Sequence, residues 1–250
     1  MAFVTVFQAA RCGLKFASLT LLVWILGIGS AWSSGFIISP VRIDLSKDKR
    51  VAALKVSNPG DAKVSIQVDV YSWHQTFGKD ELEDTSDLLV TPPIFTIPPG
   101  SGQIVRVGLR SQVSADMEAP YRLHLTEIPS AQTQTVNGLS IATRISLPVF
   151  VEPLDGQAQF KLDWKGELNS DGDLLLIAQN NGDGHSKITG LTIRTQGEVV
   201  TQSADIRYIL PKSKKEWLVS LPEHTFSPGE TISLEATVNG KRDTADLHLP

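Results

Sequence analysis

Residues 139–153, Leu-Ser-Ile-Ala-Thr-Arg-Ile-Ser-Leu-Pro-Val-Phe-Val-Glu-Pro, constrain this chain more than any other stretch. Leu139, Ile141, Thr143, Ile145, Leu147, Val149 and Val151 occupy alternate positions, so an extended chain puts all seven on one face. Ser140, Ala142, Arg144 and Ser146 fall on the other. The period of two predicts a long strand with one buried and one polar face. Pro148 complicates it: a proline gives no N–H to a ladder, so the C-terminal part of the strand is expected at a sheet edge or a bulge. An apolar strand of edge character has to be covered, by the chain's own core or by a partner. Burying Leu139, Ile141, Ile145 and Leu147 contributes ~1.5–3 kcal/mol each, roughly 6–12 kcal/mol together. That is comparable to the ~5–15 kcal/mol stability of a whole domain. The plain reading is a core strand of a β-sandwich, and periodicity alone leaves the alternative open.

The rest of the chain reads as short strands. Residues 36–45 form one broken or switched at Pro40, with Val41, Ile43 and Leu45 on one face and Arg42 on the other. Val51–Val56 is a second strand, closed by the turn Asn58-Pro59-Gly60. Val64, Ile66, Val68 and Val70 alternate and run on to Trp73, and the acidic stretch Asp80–Asp84 is expected to be a solvated loop. The proline pairs Pro92-Pro93 and Pro98-Pro99 forbid a central strand, so the chain must cross an edge or a corner there. Gln103–Leu109 and Tyr121–Leu125 alternate again, and no segment has a useful helical period. Seven or eight such strands over about 115 residues predict an immunoglobulin-like sandwich spanning 36–153. Beyond the hinge Leu154-Asp155-Gly156, strands at 160–162, 174–178, 188–193, 206–209, 217–219, 232–236 and 245–249 predict a second all-β sandwich over 157–250.

At the N-terminus Arg11 and Lys15 precede an apolar run from Phe16 to Ile28, followed by Gly29, Ser30 and Ala31. This is the pattern of a secretory signal peptide over residues 1–31, with cleavage after Ala31 and Ser33 the next choice. Cys12, the only cysteine, lies in the segment to be removed, so no disulfide is expected and stability must come from burial. Loss of Arg11 and Lys15 takes the formal charge from −4 to −6, which argues against a nucleic-acid partner.

The sequence carries no enzyme signature. His74, His124, His185, His224 and His248 stand singly, with no metal-ligand spacing. There is no nucleophile elbow, phosphate loop or dinucleotide fingerprint, hence no small-molecule substrate or cofactor to expect. Asp171-Gly-Asp173 and Asn180–Gly184 lack the bidentate glutamate of a calcium loop and read as hairpin turns.

Ser39-Pro-Val-Arg42, Thr91-Pro-Pro-Ile-Phe95, Pro99-Gly100, Val105-Arg-Val107, Glu127-Ile-Pro129 and the strand ending in Pro153 occur in one order across nearly the whole first domain. In this the chain resembles the periplasmic pilus chaperones of the chaperone–usher pathway. The Leu-Pro-Val-Phe-Val ending and the short loop before Asn137 look like the archaic branch. The resemblance implies two immunoglobulin-like sandwiches in an angled, boomerang-like arrangement, a periplasmic location and no catalysis. It also implies that the last strand of the first domain is lent to a pilus subunit whose own sandwich lacks one, a case of strand addition. The donor positions would be Leu139, Ile141, Thr143 and Ile145. The family holds the subunit's C-terminal carboxylate with an Arg and a Lys in the interdomain cleft. Arg42 matches the first. Pro148 stands where the Lys is expected, and Arg144 is the nearest basic substitute on that strand. Arg106 also matches a family arginine, its plainer reading being a salt bridge within the sandwich. Pro92 and Pro93 resemble part of the surface that meets the outer-membrane usher. Implied partners are thus pilus subunits and the usher, with self-capping of the free chaperone as a dimer also allowed. The competing class is a secreted two-domain adhesin-like binding module, which would want an aromatic platform; Trp73, Trp164 and Trp217 are too scattered in sequence to suggest one.

Overall fold

Pro40 decides how the first strand is used. In the computed structural model, which describes residues 35–110, 116–129, 142–154, 156–220 and 226–250, β1 (Ile37–Ser39) pairs with β3 (Val51–Ser57). The chain then passes a cis peptide bond at Pro40 and re-forms as β2 (Ile43–Leu45) in the opposite sheet. Ile43 and Leu45 are buried as expected, but Val41 lies in the crossing and is 74% exposed. The apolar face begins only where strand geometry resumes. The expected signal peptide, Leu139 and Ile141 lie outside the described residues.

The first sandwich adds β4 (Val64–Thr76), β5 (Lys79–Asp84), β6 (Leu88–Thr91), β7 (Ile94–Ile97), β8 (Gly102–Leu109), β9 (Ala119–Ile128) and β10 (Arg144–Val151). One sheet runs β1-β3-β8-β6, the other β2-β10-β9-β4-β5 with β7 also on β4. Their facing side chains, among them Leu54, Val56, Ile66, Val105, Val107, Leu123, Leu125, Leu147 and Val149, make one core. The acidic stretch expected as a loop is the strand β5 instead. Phe77 and Gly78, both at positive φ, form a two-residue turn that folds it back onto β4 as an exposed edge. Having no apolar face, it gives no alternation signal. The two prolines of Pro92-Pro93 sit where the chain leaves β6 in one sheet for β7 in the other, at the predicted crossing.

The second sandwich comprises β11 (Leu162–Leu168), β12 (Leu174–Asn180), β13 (Ser186–Thr195), β14 (Glu198–Ser203), β15 (Arg207–Ile209), β16 (Lys214–Val219), β17 (Thr231–Val238) and β18 (Lys241–His248). Its sheets run β11-β12-β16 and β14-β13-β17-β18, with β15 on β13, over a separate core. Trp164 and Trp217, far apart in sequence, meet here with ring centroids 5.9 Å apart, packed against that core. Asn180–Gly184 is a turn. The buried Asn180 side chain donates from Nδ2 to the carbonyls of Gly184, Ile209 and Leu210 and accepts from the N–H groups of Lys161 and Gly182. A Cβ on Gly182 would lie 2.2 Å from the Gln159 carbonyl oxygen, so only glycine fits there.

β10 corrects the expectation drawn from Pro148. Its C-terminal part, Val149–Val151, is flanked on both sides, by β9 antiparallel and β2 parallel, whereas Arg144–Pro148 pairs with β9 alone among the described residues. The ladder explains why. The Glu127 N–H donates to the Thr143 carbonyl, so odd positions of β10 bond to β9 and even positions turn their N–H away from it. The Glu152 N–H, of even number, duly donates to the Leu45 carbonyl of β2. The missing N–H of Pro148 therefore falls on the β2 side one step before β2 begins, and costs no hydrogen bond. Among the described residues the open edge is the N-terminal half of the strand, not the C-terminal half.

Candidate functional site

The outer face of the six-stranded sheet carries what alternation assigns to solvent. On β4, Val64, Ile66 and Val68 face the first core and Trp73 faces away. On β9, Tyr121, Leu123 and Leu125 face inward, which turns Arg122 and His124 out. On β10 the even position Phe150 also turns out, yet it is 1% exposed, as is Trp73. These two side chains pack with Leu210 and Tyr208 of the second sandwich in a small third core. The Phe150 ring stacks on His185 at 3.5 Å and 6°. Polar clasps surround it. Glu118 accepts from the His185 backbone N–H at 2.7 Å and meets Nδ1 of the same residue at 2.7 Å, the two side chains being 7% and 10% exposed. Gln75 donates to the Tyr208 carbonyl at 2.9 Å and accepts from the Leu210 N–H at 3.0 Å. Lys215 donates to the Gly78 carbonyl and pairs with Asp80 at 3.1 Å. A half-buried amide such as Gln75 and a buried carboxylate such as Glu118, satisfied in this way, hold the joint in one register, since breaking the contacts leaves groups unpaired away from water.

Beside this joint lies a cleft of about 750 Å³, lined from the first sandwich by Arg42, Asp44, Glu118, Phe150 and Glu152, and from the second by His185 and Lys187 among others. Arg42 Nε lies 3.1 Å from Asp44 Oδ2, with both side chains 46% exposed. Such an exposed pair contributes only ~0–1 kcal/mol, so the guanidinium can change partner at little cost. A second hollow holds Arg122, Asp80, Arg207, Tyr208 and Lys215. The Arg122 guanidinium lies 3.7 Å from the Trp73 ring centroid and 5.5 Å from that of Tyr208. Burial lowers its pKa from the ordinary arginine value, with Asp80 and Tyr208 acting in the opposite direction. Burial raises the Tyr208 phenol, while Arg122 and Arg42 pull it down and Asp44 adds to the rise. Tyr208 therefore stands in the field of cations from both hollows.

Of the residues singled out in the sequence, Arg42 lines the cleft. Arg144 is exposed and donates to Thr126 Oγ1 at 3.1 Å, and it is not among the cleft-lining residues. Thr143 is half-buried, and Ile145 packs partly against the first core. Pro92 is half-buried and Pro93 exposed. Arg106 is exposed on β8 and forms no ion pair among the described residues. Its register neighbour Thr91 immediately precedes Pro92. Arg122 lies directly across the ladder from Pro148, on the same face. It was legible only as an arginine between core positions with no carboxylate at short range, a signal too common to single it out. Among the described residues no three His, Cys, Asp or Glu side chains converge as a metal site would need.

Residues 35–156 match the family model of the pili and flagellar-assembly chaperones, PapD N-terminal domain. This first domain belongs to the pilus-assembly chaperone family. The two-sandwich fold recurs in solved structures. A chain of the CsuC–CsuE chaperone–tip adhesion subunit pre-assembly complex of Acinetobacter baumannii is 19% identical, with 87% of this chain and 100% of that one covered and a TM-score of 0.67. The E. coli chaperone DraB is 17% identical over 87% of this chain and 97% of its own, with a TM-score of 0.58. A chain of the Salmonella enterica SafA pilin–SafB chaperone complex is 15% identical over 86% and 98%, with a TM-score of 0.60. At these identities the likeness is one of fold. No curated protein sequence matches the chain.

Proposed function

We propose that this chaperone works in the periplasm after removal of residues 1–31, capturing incomplete pilus subunits on the open edge of β10 and delivering them to an outer-membrane usher. The two domains, 36–153 and 157–250, flank the cleft that receives the subunit's C-terminal carboxylate on Arg42. The observation that carries the reading is that edge itself. Over Arg144–Pro148 the strand has a neighbour on one side only among the described residues, and in the sequence its alternating row continues toward Thr143, Ile141 and Leu139. An unpaired backbone edge beside alternating apolar side chains is what strand addition uses: main-chain bonds give affinity and alternate side chains fill pockets. The process needs no catalysis and no cofactor, since burial and strand pairing supply the free energy. Likeness in fold to a complex from an archaic chaperone–usher system supports the archaic branch. The test is co-expression with a candidate pilus subunit from the same genome. Ile141→Asp should abolish co-purification while the chaperone still folds, because the charge would enter the subunit's apolar groove. Wild-type yield of the complex with a folded Ile141→Asp chaperone would refute the donor-strand reading.

A further inference from the structure

The outward face of the four-stranded sheet departs from the alternation kept elsewhere. On β17 the side chains turned away from the core are Thr231, Ser233, Glu235 and Thr237, as a half-buried strand requires. The sheet β1-β3-β8-β6 instead turns Ile37, Val51, Ile104 and Leu89 outward, each between 43% and 58% exposed. The ladder brings two of them together. Gly108 has Val51 across from it on one side and Leu89 on the other, and a Cβ there would lie 3.4 Å from Val51 Cγ2. The two apolar side chains thus flank a position that carries none, and a cluster of this kind on a water-facing sheet marks an interaction surface.

The charges at the outward positions of these strands are all positive. Lys55 and Arg106 are exposed diagonal neighbours across the β3–β8 ladder, where Lys55 faces Ile104 and Ala53 faces Arg106. At the Val51–Leu89 end, exposed Arg50 precedes β3 and exposed Arg110 follows β8. None of these four cations forms an ion pair among the described residues. Arg50 donates to the Leu109 carbonyl at 3.3 Å, a neutral acceptor that leaves its charge in place. Of the carboxylates adjoining this end, Asp87 accepts from the Tyr121 hydroxyl at 3.1 Å, and Asp48 is the exposed exception in the turn before β3. On a chain of net charge −4, this segregation creates a cationic, apolar side.

Apolar side chains interleaved with cations are what the boundary of an anionic bilayer accepts. A protein partner would be matched by directional hydrogen bonds, about one per 100–200 Å². Beyond its cations, the outward face offers for this only the hydroxyls of Ser39, Ser57 and Thr91. We propose that this face docks on an anionic phospholipid surface, with Val51 and Leu89 entering the boundary between headgroups and acyl chains and Arg50, Lys55, Arg106 and Arg110 meeting lipid phosphates. β10 lies in the other sheet, so this docking does not use its unpaired edge. The inference stands independently of the donor-strand reading.

Co-sedimentation of the exported, processed protein with phosphatidylcholine vesicles, with and without phosphatidylglycerol, tests the proposal. The protein should bind only the anionic vesicles and release them as salt rises. Arg106→Gln should weaken binding about fivefold, and Lys55→Gln with Arg106→Gln about 25-fold with a flatter salt dependence. Val51→Thr with Leu89→Thr should also weaken binding but keep the parent's salt dependence, since only apolar contact is lost. Lys241→Gln, which removes an exposed cation of the second sandwich, should bind as the parent does. Equal binding to both kinds of vesicle, or binding to neither, overturns the proposal. Parental binding by either double variant, or a loss on Lys241→Gln equal to that on Arg106→Gln, does the same. So does displacement by inorganic phosphate beyond that by chloride at equal ionic strength, which would mean a small-anion site. Unchanged vesicle binding by Lys55→Gln with Arg106→Gln, together with loss of usher binding by the subunit-loaded protein, would assign the face to a protein partner and overturn the proposal too.

Discussion

His124 sits opposite Ser146 on β10, its ring 4.9 Å from that of Tyr71. Burial lowers its pKa, and the Arg144 and Arg122 charges lower it further against the weaker pull of Asp69. A histidine whose folded pKa lies below its unfolded value of about 6.5 stabilises the fold fully above that pH, and the contribution is lost as pH falls toward the folded value. Melting temperature should therefore decline below about pH 6.5, and His124→Gln should flatten that decline. An unchanged slope in the variant would assign the acid sensitivity to other groups. Arg42 makes the opposite kind of prediction. Its exposed pair with Asp44 contributes little to folding, so Arg42→Ala should melt within ~0.5 kcal/mol of the parent. Leaving a desolvated carboxylate unpaired costs ~2–5 kcal/mol, so subunit binding should fall roughly 30- to several-thousand-fold. Arg42→Lys should rescue only in part, because an ammonium cannot make the two-pronged contact. A pull-down and a melt of both variants check this, and normal binding by Arg42→Ala would remove it from the site.

Elements were legible where one face alone is apolar. The switch at Pro40, the strand running through Trp73, the crossing at Pro92-Pro93 and the inward phase of Leu147, Val149 and Val151 all follow from alternation and proline chemistry. What escaped is the second face of the six-stranded sheet. Phe150 and Trp73 fall on the side a half-buried strand shows to water, and only the arrival of Tyr208 and Leu210 from about 60 residues or more downstream buries them. β5 escaped because a strand exposed on both faces leaves no periodic trace. The loop through Pro92 and Pro93 is held to its sheet by the Val68 N–H donating to the Pro93 carbonyl at 2.8 Å, a bond that a side-chain change leaves in place. Replacing both prolines with alanine should therefore spare subunit loading and weaken binding of the loaded complex to the usher. Equal loss of the two activities would reduce the prolines to strand terminators.

The described residues form one core in each sandwich and a third where the sandwiches meet. β10 belongs to two of these, with its odd positions in the first core and Phe150 in the joint, while its N-terminal half has one edge unpaired among the described residues. That arrangement makes the strand rigid at one end and available at the other, which is what capture by strand addition requires. The most direct test is amide hydrogen exchange of β10 with and without the bound subunit. The N–H groups of Arg144 and Ser146 point away from β9, those of Ile145 and Leu147 toward it. In the free protein Arg144 and Ser146 should exchange fast and Ile145 and Leu147 slowly. On subunit binding Arg144 and Ser146 should become protected while the other two change little. A bound subunit that leaves Arg144 and Ser146 exchanging as fast as before would contradict donation of this edge.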